Sequence, residues 1–292
     1  MTLAIPSGIV GTTVGPLRQA IDARWLMAYA AALGETDPRY FDTLAPDGPL
    51  AHALFAVCYE WAVAVAMRDQ TMDPAIQTQS VHATHHLTIH RAPRAGDTLA
   101  TTARVVHVEA RRAGTLVVTR LETTDADGHR VTTTDYGSVY RGVALAGADP
   151  PRAASAADRA STATARAGDE AGGEVRWREA VEVAANAAWV YTECARIWNP
   201  IHTDLAVARR AGLDAPILHG TATLALAVSR VLARDLGGDP GRVREIRGRF
   251  TGMVAMPSSL TVRGRPGGPA GVAFDAVAAD GTPVLTQGVL IP

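Results

Sequence analysis

Tyr191-Thr192-Glu193-Cys194-Ala195-Arg196-Ile197-Trp198-Asn199-Pro200-Ile201-His202-Thr203-Asp204, continued by Ala215-Pro216-Ile217-Leu218-His219-Gly220-Thr221, is the stretch from which the rest of the chain can be read. Proline disfavours the helical conformation in the residue before it, so Asn199-Pro200 stops the helical run that precedes it. His202 therefore falls on a loop just past a helix end. A second break at Ala215-Pro216 is followed by His219-Gly220, and from Thr221 to Leu236 the residues are rich in Ala, Leu and Val without an interior Gly or Pro. A long, largely buried helix is expected to begin at Gly220. Its first N–H groups lack intrahelical partners and point back toward the loop. Such a helix end can hold a developing oxyanion, and an imidazole within reach can move protons. Each half of the stretch taken alone also reads as an ordinary turn or cap.

Trp198-Asn199-Pro200-Ile201-His202, Ala211-Gly212-Leu213 and Pro216-Ile217-Leu218-His219-Gly220 resemble, in order and spacing, the hydratase motif of MaoC-like, R-specific enoyl-CoA hydratases and dehydratases. That motif reads S-G-D-x-N-P-L-H, a short helix, A-G-F, then P-I-x-H-G and the long hot-dog helix. The resemblance implies a cofactor-free lyase acting on an acyl thioester carried by CoA or an acyl carrier protein. The motif's Gly-Asp pair falls on Arg196-Ile197 here, and Ile197 cannot hold the water that the family's Asp and His share.

Working outward, Gly34-Glu35-Thr36-Asp37-Pro38-Arg39-Tyr40 is a weaker second copy, with Glu35 for Asp, Asp37 for Asn and Tyr40 for His. A helix over residues 23 to 33 precedes it and ends at Gly34. Between Pro49 and Met67 the chain is apolar almost all round, as in a helix wrapped by sheet. From His82 to Tyr140 short β-rich runs alternate with turn signals, at Leu87 to Ile89, Leu99 to Val108, Gly114 to Thr124 and Val131 to Tyr140, and read as an antiparallel meander. The second half follows the same plan, with a helix from about Ala184 and strands near Arg244 to Phe250, Ser259 to Arg265, Gly271 to Ala278 and Val284 to Leu290. The expected fold class is α+β, a double hot-dog in which two antiparallel sheets each wrap a long central helix. The expected organisation is an N-terminal hot-dog domain over 1–145, a flexible linker over 146–173, poor in large apolar residues, and a C-terminal hot-dog domain over 174–292.

Composition narrows the functional classes. With 292 residues the chain is comfortable for two domains, and 47% hydrophobic with 20% charged residues describes a globular protein. A formal net charge of −1 gives no electrostatic case for nucleic acid or an anionic membrane as partner. Cys58 and Cys194 are too few for a disulfide framework and lack metal-ligand spacing. No export signal is apparent and no apolar run reaches the ~18 residues of a membrane span, so a reducing, cytoplasmic location is expected.

His202 is the leading catalytic candidate because imidazole titrates near working pH. Asn199 is set beside it as a positioning group, although Asn before Pro is also turn chemistry. The expected substrate-binding set is Gly220, Thr221, Arg196 and Ile197. The N–H of Gly220 or Thr221 would polarise the thioester carbonyl. Arg196 is either an anion-holding group or a surface arginine at a helix end. Glu193, Asp204, Glu35 and Asp37 are the carboxylates weighed as substitutes for the one missing at Ile197. Arg91, Arg94, Arg247 and Arg249 are read as CoA-phosphate contacts or a solvated face. His82, His85, His86 and His90 have no partner at ligand spacing, so no metal and no cofactor is expected. A homo- or hetero-oligomer is expected from the resemblance. Two other readings stay open: a non-hydrating acyl-binding or partner subunit, and a different acid–base reaction such as thioester hydrolysis, isomerisation or cyclisation.

Overall fold

A computed structural model describes residues 3–148, 174–267 and 271–292. The first half runs β1 (Ala4–Pro6), β2 (Thr13–Ala20), α1 (Ala23–Ala32), α2 (Ala56–Thr71), α3 (Pro74–Gln77), β3 (Ser80–Ile89), β4 (Thr98–Arg111), β5 (Gly114–Thr124), β6 (Arg130–Arg141) and β7 (Ala144–Ala146). The second half runs β8 (Trp177–Val183), α4 (Ala187–Ala195), α5 (Leu205–Arg210), α6 (Gly220–Asp235), β9 (Glu245–Phe250), β10 (Ser258–Pro266), β11 (Val272–Ala278) and β12 (Pro283–Ile291). The expected linker falls largely on 149–173, outside the described residues.

Ten strands form one antiparallel sheet in the order β2-β4-β5-β6-β3-β9-β12-β11-β10-β8. The order reads the same from either edge once β2 is matched with β8, β4 with β10, β5 with β11, β6 with β12 and β3 with β9. The halves are thus two copies of one plan, joined where β3 and β9 pair through Thr84↔Arg249, His86↔Arg247 and Thr88↔Glu245. This is the double hot-dog. It differs from a simple meander, because β3 inserts beside β6 and not beside its sequence neighbour β4. A separate parallel pair, β1 with β7, places Ile5 over a small second core containing Val63, Met67 and Tyr140.

Helix α6 is buried along most of its length, as its continuous apolar sequence requires, with Leu224, Ala225, Ala227, Val228 and Val231 fully enclosed. Helix α2 starts at Ala56, seven residues after Pro49, because the intervening segment is a loop: the Leu54 N–H donates to Nδ1 of His52 at 3.1 Å. An all-apolar run cannot by its periodicity separate a buried loop from the helix it feeds. Trp25, Phe55 and Tyr29 from the first half pack in one hydrophobic core with Tyr191, Leu224 and Phe274 from the second. Trp25 and Phe55 meet edge to face at 5.3 Å, the arrangement aromatic quadrupoles favour. The two halves therefore share a core, and burying it holds their motif loops in fixed relation.

Among the described residues no helix is long and apolar enough to cross a membrane.

Candidate active site

Helix α4 ends because Arg196 turns left-handed, at φ 59°, with its N–H donating to the Thr192 carbonyl. That closure favours glycine, which has no Cβ to crowd the turn. Arginine here is held from outside the helix. Its guanidinium lies 4.0 Å over the Trp25 ring and 3.7 Å from the Asp22 carboxylate, both in the first half. Arg196 is thus engaged across the junction of the two halves. Ile197, the next residue, is buried at 3% exposure within the shared core.

Asn199 is extended, as the following proline demands, and Pro200–His202 forms a single 3-10 turn. The Asn199 side chain makes no cap hydrogen bond there. Asp204 caps α5 by accepting from the Ala206 and Val207 N–H groups, at 2.8 and 3.1 Å. That occupies one of the four carboxylates weighed from the sequence, and Glu193 points to solvent. Asp37 is paired with Arg39 at 2.6 Å.

His202 is the centre of the arrangement. Its Nδ1 lies 2.9 Å from the Ile217 carbonyl oxygen. A carbonyl can only accept, so Nδ1 carries the hydrogen and Nε2 presents its lone pair. Burial holds the His202 pKa down at about 4, so the ring is neutral near pH 7. It stacks on His219, with centroids 3.7 Å apart and planes inclined by 26°. His219 caps the start of α6, and burial together with the neighbouring His202 holds its pKa at about 2. His219 Nε2 lies 3.2 Å from the Thr192 hydroxyl.

Gly220 and Thr221 are the half-buried opening residues of an otherwise buried helix. No side chain caps this end, so its first N–H groups stay available. A Cβ placed on Gly220 would meet the Phe250 ring at 3.4 Å, so this helix end lies against that ring. Tyr191 donates to the Thr221 hydroxyl at 3.1 Å, and Tyr29 meets the Tyr191 hydroxyl at 3.3 Å. Since the Tyr191 hydrogen is already given to Thr221, Tyr29 is the donor to Tyr191. The hydrogen of Thr221 is then free to point outward.

The first half holds a matched but altered copy. Pro38–Tyr40 forms the same 3-10 turn as Pro200–His202. Tyr40 stands for His202, His52 for His219 and Glu35 for Ile197, and the Tyr40 and His52 rings lie 6.1 Å apart. Glu35 Oε1 is buried without a hydrogen-bond partner, 3.9 Å from His52 Nε2. His52 accepts from Leu54 at Nδ1, so Nε2 carries the hydrogen it directs to the Ser229 hydroxyl at 3.1 Å. The carboxylate of the motif is kept in one half and the loop imidazole in the other.

The structure thus brings His202, Asn199, Gly220 and Thr221 to one end of α6, with Ile197 packed beneath and Arg196 turned toward Trp25. His219, Tyr191 and Tyr29 were not singled out from the sequence. His219 could have been, because Pro49-Leu50-Ala51-His52 repeats Pro216-Ile217-Leu218-His219. Arg91 is engaged by Asp97 and Asp125, Arg94 by Asp47 and Arg247 by Glu245. Among the described residues the close grouping of metal-type side chains is Asp125, Asp127 and His129 on an exposed hairpin, where Arg91 already holds Asp125.

Comparison with known proteins adds an independent line. Residues 166–279 match the MaoC like domain, and residues 8–134 match the FAS1-like, dehydratase domain region. The chain is 43% identical over 53 residues to peroxisomal enoyl-CoA hydratase 2 of Arabidopsis thaliana, a match covering 18% of this chain and 17% of that protein. It is 42% identical over 76 residues to fatty acid synthase subunit beta of Aspergillus oryzae, covering 25% of this chain and 4% of that protein. These matches span only a small part of either relative's length. The crystal structure of a MaoC-like dehydratase from Phytophthora capsici superimposes with a TM-score of 0.76 at 23% identity, over 97% of this chain and 95% of that one.

Proposed function

We propose that this chain, in which residues 166–279 match the MaoC like domain, adds water to a 2-enoyl thioester, or removes it from a 3-hydroxyacyl thioester, carried on CoA or an acyl carrier protein. The observation that carries this reading is the fixed tautomer of His202, whose ring stacks on His219 at the uncapped start of α6.

In the hydration direction, His202 Nε2 takes a proton from water as the water oxygen bonds to C3. The C2=C3 π electrons move onto the thioester carbonyl, giving an enolate. The N–H of Gly220 and the outward hydrogen of Thr221 stabilise that oxygen, and such donors typically contribute ~100- to 1,000-fold in rate. The imidazolium then returns its proton to C2. The burial that lowers its pKa makes it a strong acid for this step. Dehydration is the reverse. Asn199, half-buried beside the turn, is placed in this reading to orient the water or the substrate carbonyl.

One observation favours a second reading. Ile197, where the motif has its water-holding carboxylate, is sealed in the core, so a protein that only binds an acyl thioester, or serves an active partner, fits the same geometry. Hydration of crotonyl-CoA by wild type and by Ile197→Asp separates them, with circular dichroism checking that the buried substitution still folds. Turnover by the wild type supports the lyase. An inert wild type beside an active, folded Ile197→Asp supports the binding role.

Assembly into an oligomer, of this chain or with a partner, is supported by the exposed Trp189, Val190 and Leu205 around the motif loop. A reducing, cytoplasmic compartment fits Cys58 and Cys194, both free thiols.

A further inference from the structure

The inside of the first half is not a plain hydrocarbon pocket. Between α2 and the inner faces of β3, β5 and β6 lies a cleft of about 40 Å³ that opens to solvent. Trp61, Arg68, Ser80, Tyr136, Ser138 and Tyr140 line it. Tyr136 is paired with Ser138 and Tyr140 with Ser80, so the hydroxyls have partners within the protein. Arg68 does not. Its Nε is buried without a hydrogen-bond partner, and among the described residues no carboxylate lies within ion-pair reach of its guanidinium. The Trp61 ring, at 5.9 Å, is the neighbour it faces. A guanidinium cannot shed its charge, and a cation kept half out of water without a counter-ion is costly.

A series of ring contacts leads from the cleft to the candidate active site. Tyr136 stacks on His82 at 4.0 Å, and His82 lies 4.6 Å from Phe250. Phe250 is the ring that flanks Gly220 at the start of α6. Beside this route, 5.5 Å from His82, His85 is almost fully buried with both ring nitrogens unpartnered. A saturated hydrocarbon tail in the cleft would leave Arg68 unpaired, whereas a carboxylate-ended one would satisfy it.

Resting on the acyl-thioester reading above, we infer that the substrate is an acyl thioester whose distal end carries a carboxylate, held by the Arg68 guanidinium in the cleft of the first half. The thioester carbonyl sits at Gly220 and the chain passes Phe250 and His82. A charge-assisted arginine–carboxylate contact strengthens binding by roughly 10- to 100-fold relative to the same chain without the carboxylate.

The test uses saturated thioesters, which cannot react. Equilibrium binding of succinyl-, adipoyl- and suberoyl-CoA is compared with that of butyryl-, hexanoyl- and octanoyl-CoA, for wild type, Arg68→Met and Arg68→Lys. The wild type is expected to prefer at least one carboxylate-ended chain by about tenfold or more. Arg68→Met is expected to lose that preference while holding the plain chains equally well, and Arg68→Lys to keep part of it. A wild type without preference, or one whose preference survives in Arg68→Met, overturns the inference, as does failure of the wild type to bind any of the six. Should Arg68→Met not fold, a preference in Arg68→Lys equal to the wild type's also overturns it, because a point charge cannot reproduce the bidentate contact. Absence of hydration with the binding preference intact removes the lyase reading alone, and hydration with no preference removes the pocket alone.

Discussion

The rings of His202 and His219 stack at 3.7 Å, and the stack does not admit a charge on both. Two imidazoles in van der Waals contact cannot both carry charge without strong repulsion. The stack thus fixes the loop imidazole against the helix cap in the form that has a free lone pair.

That arrangement makes the fold sensitive to acid. The pKa of His202 is held at about 4, those of His52 and His85 at about 3 and that of His219 at about 2, each chiefly by burial. Unfolded histidines titrate near 6.5, so below that pH the unfolded chain binds more protons and stability falls as pH drops toward the folded values. Each such histidine contributes a slope of up to ~1.4 kcal/mol per pH unit. Thermal melts between pH 7 and pH 4 should show Tm falling steeply below pH ~6.5, and His52→Gln should make the fall shallower.

Glu60 acts with the opposite sign. Buried on α2 with Thr134 donating at 2.8 Å, it has a carboxyl pKa pushed up to about 8 by desolvation. The unfolded chain releases this proton near pH 4.5, the folded chain only near pH 8, so the group destabilises the fold as pH rises through that window. Glu60→Gln should therefore be more stable than wild type at pH 8, by on the order of 1–2 kcal/mol, and should lose the advantage near pH 4. Denaturant melts at the two pH values check this.

Gly220→Ala separates folding from chemistry. The new methyl would sit at ordinary contact distance from Phe250, 3.4 Å, and alanine suits a helix better than glycine. The variant should melt within a degree or two of wild type or slightly above it, yet lose roughly tenfold or more in kcat/KM, because in the proposed reaction the added methyl crowds the substrate carbonyl beside the first N–H groups of α6.

Arg196 sets a strained turn against a packed side chain. In Arg196→Gly the left-handed residue relaxes, offsetting the lost contact with Trp25; in Arg196→Ala the strain stays and the contact goes. Alanine should be less stable than glycine by about 1 kcal/mol, with glycine within about 0.5 kcal/mol of wild type. Urea melts of the three proteins give the comparison.

Much of this architecture is legible in the sequence because alternation and turn residues survive in most inner strands, although β3 begins at Ser80, seven residues before the run read at Leu87. β4 through β6 and β9 through β12 lie within two or three residues of where their patterns place them. The edge strands were missed for a physical reason. β2 is exposed at six of its eight residues and carries Gly15-Pro16, and β8 alternates with charged residues, so neither presents a clear apolar face. At the site, the spacing of Asn199, His202 and Gly220 carried local information that one chain can show. The stacking of His219, the Tyr29–Tyr191–Thr221 relay and the Arg196–Trp25 contact did not appear, because each joins residues that only the shared core brings together. Ile197 shows the same limit: the sequence marks the loss of a carboxylate, and the fold shows the position absorbed into the core.

The most direct measurement is the rate of hydration of crotonyl-CoA and longer 2-enoyl-CoAs by wild type and His202→Ala, followed by loss of the enoyl thioester absorbance. General acid–base catalysis by His202 predicts turnover by the wild type and a fall of ~100- to 10,000-fold in kcat for a His202→Ala protein that folds normally. Equal rates in the two proteins would contradict the account.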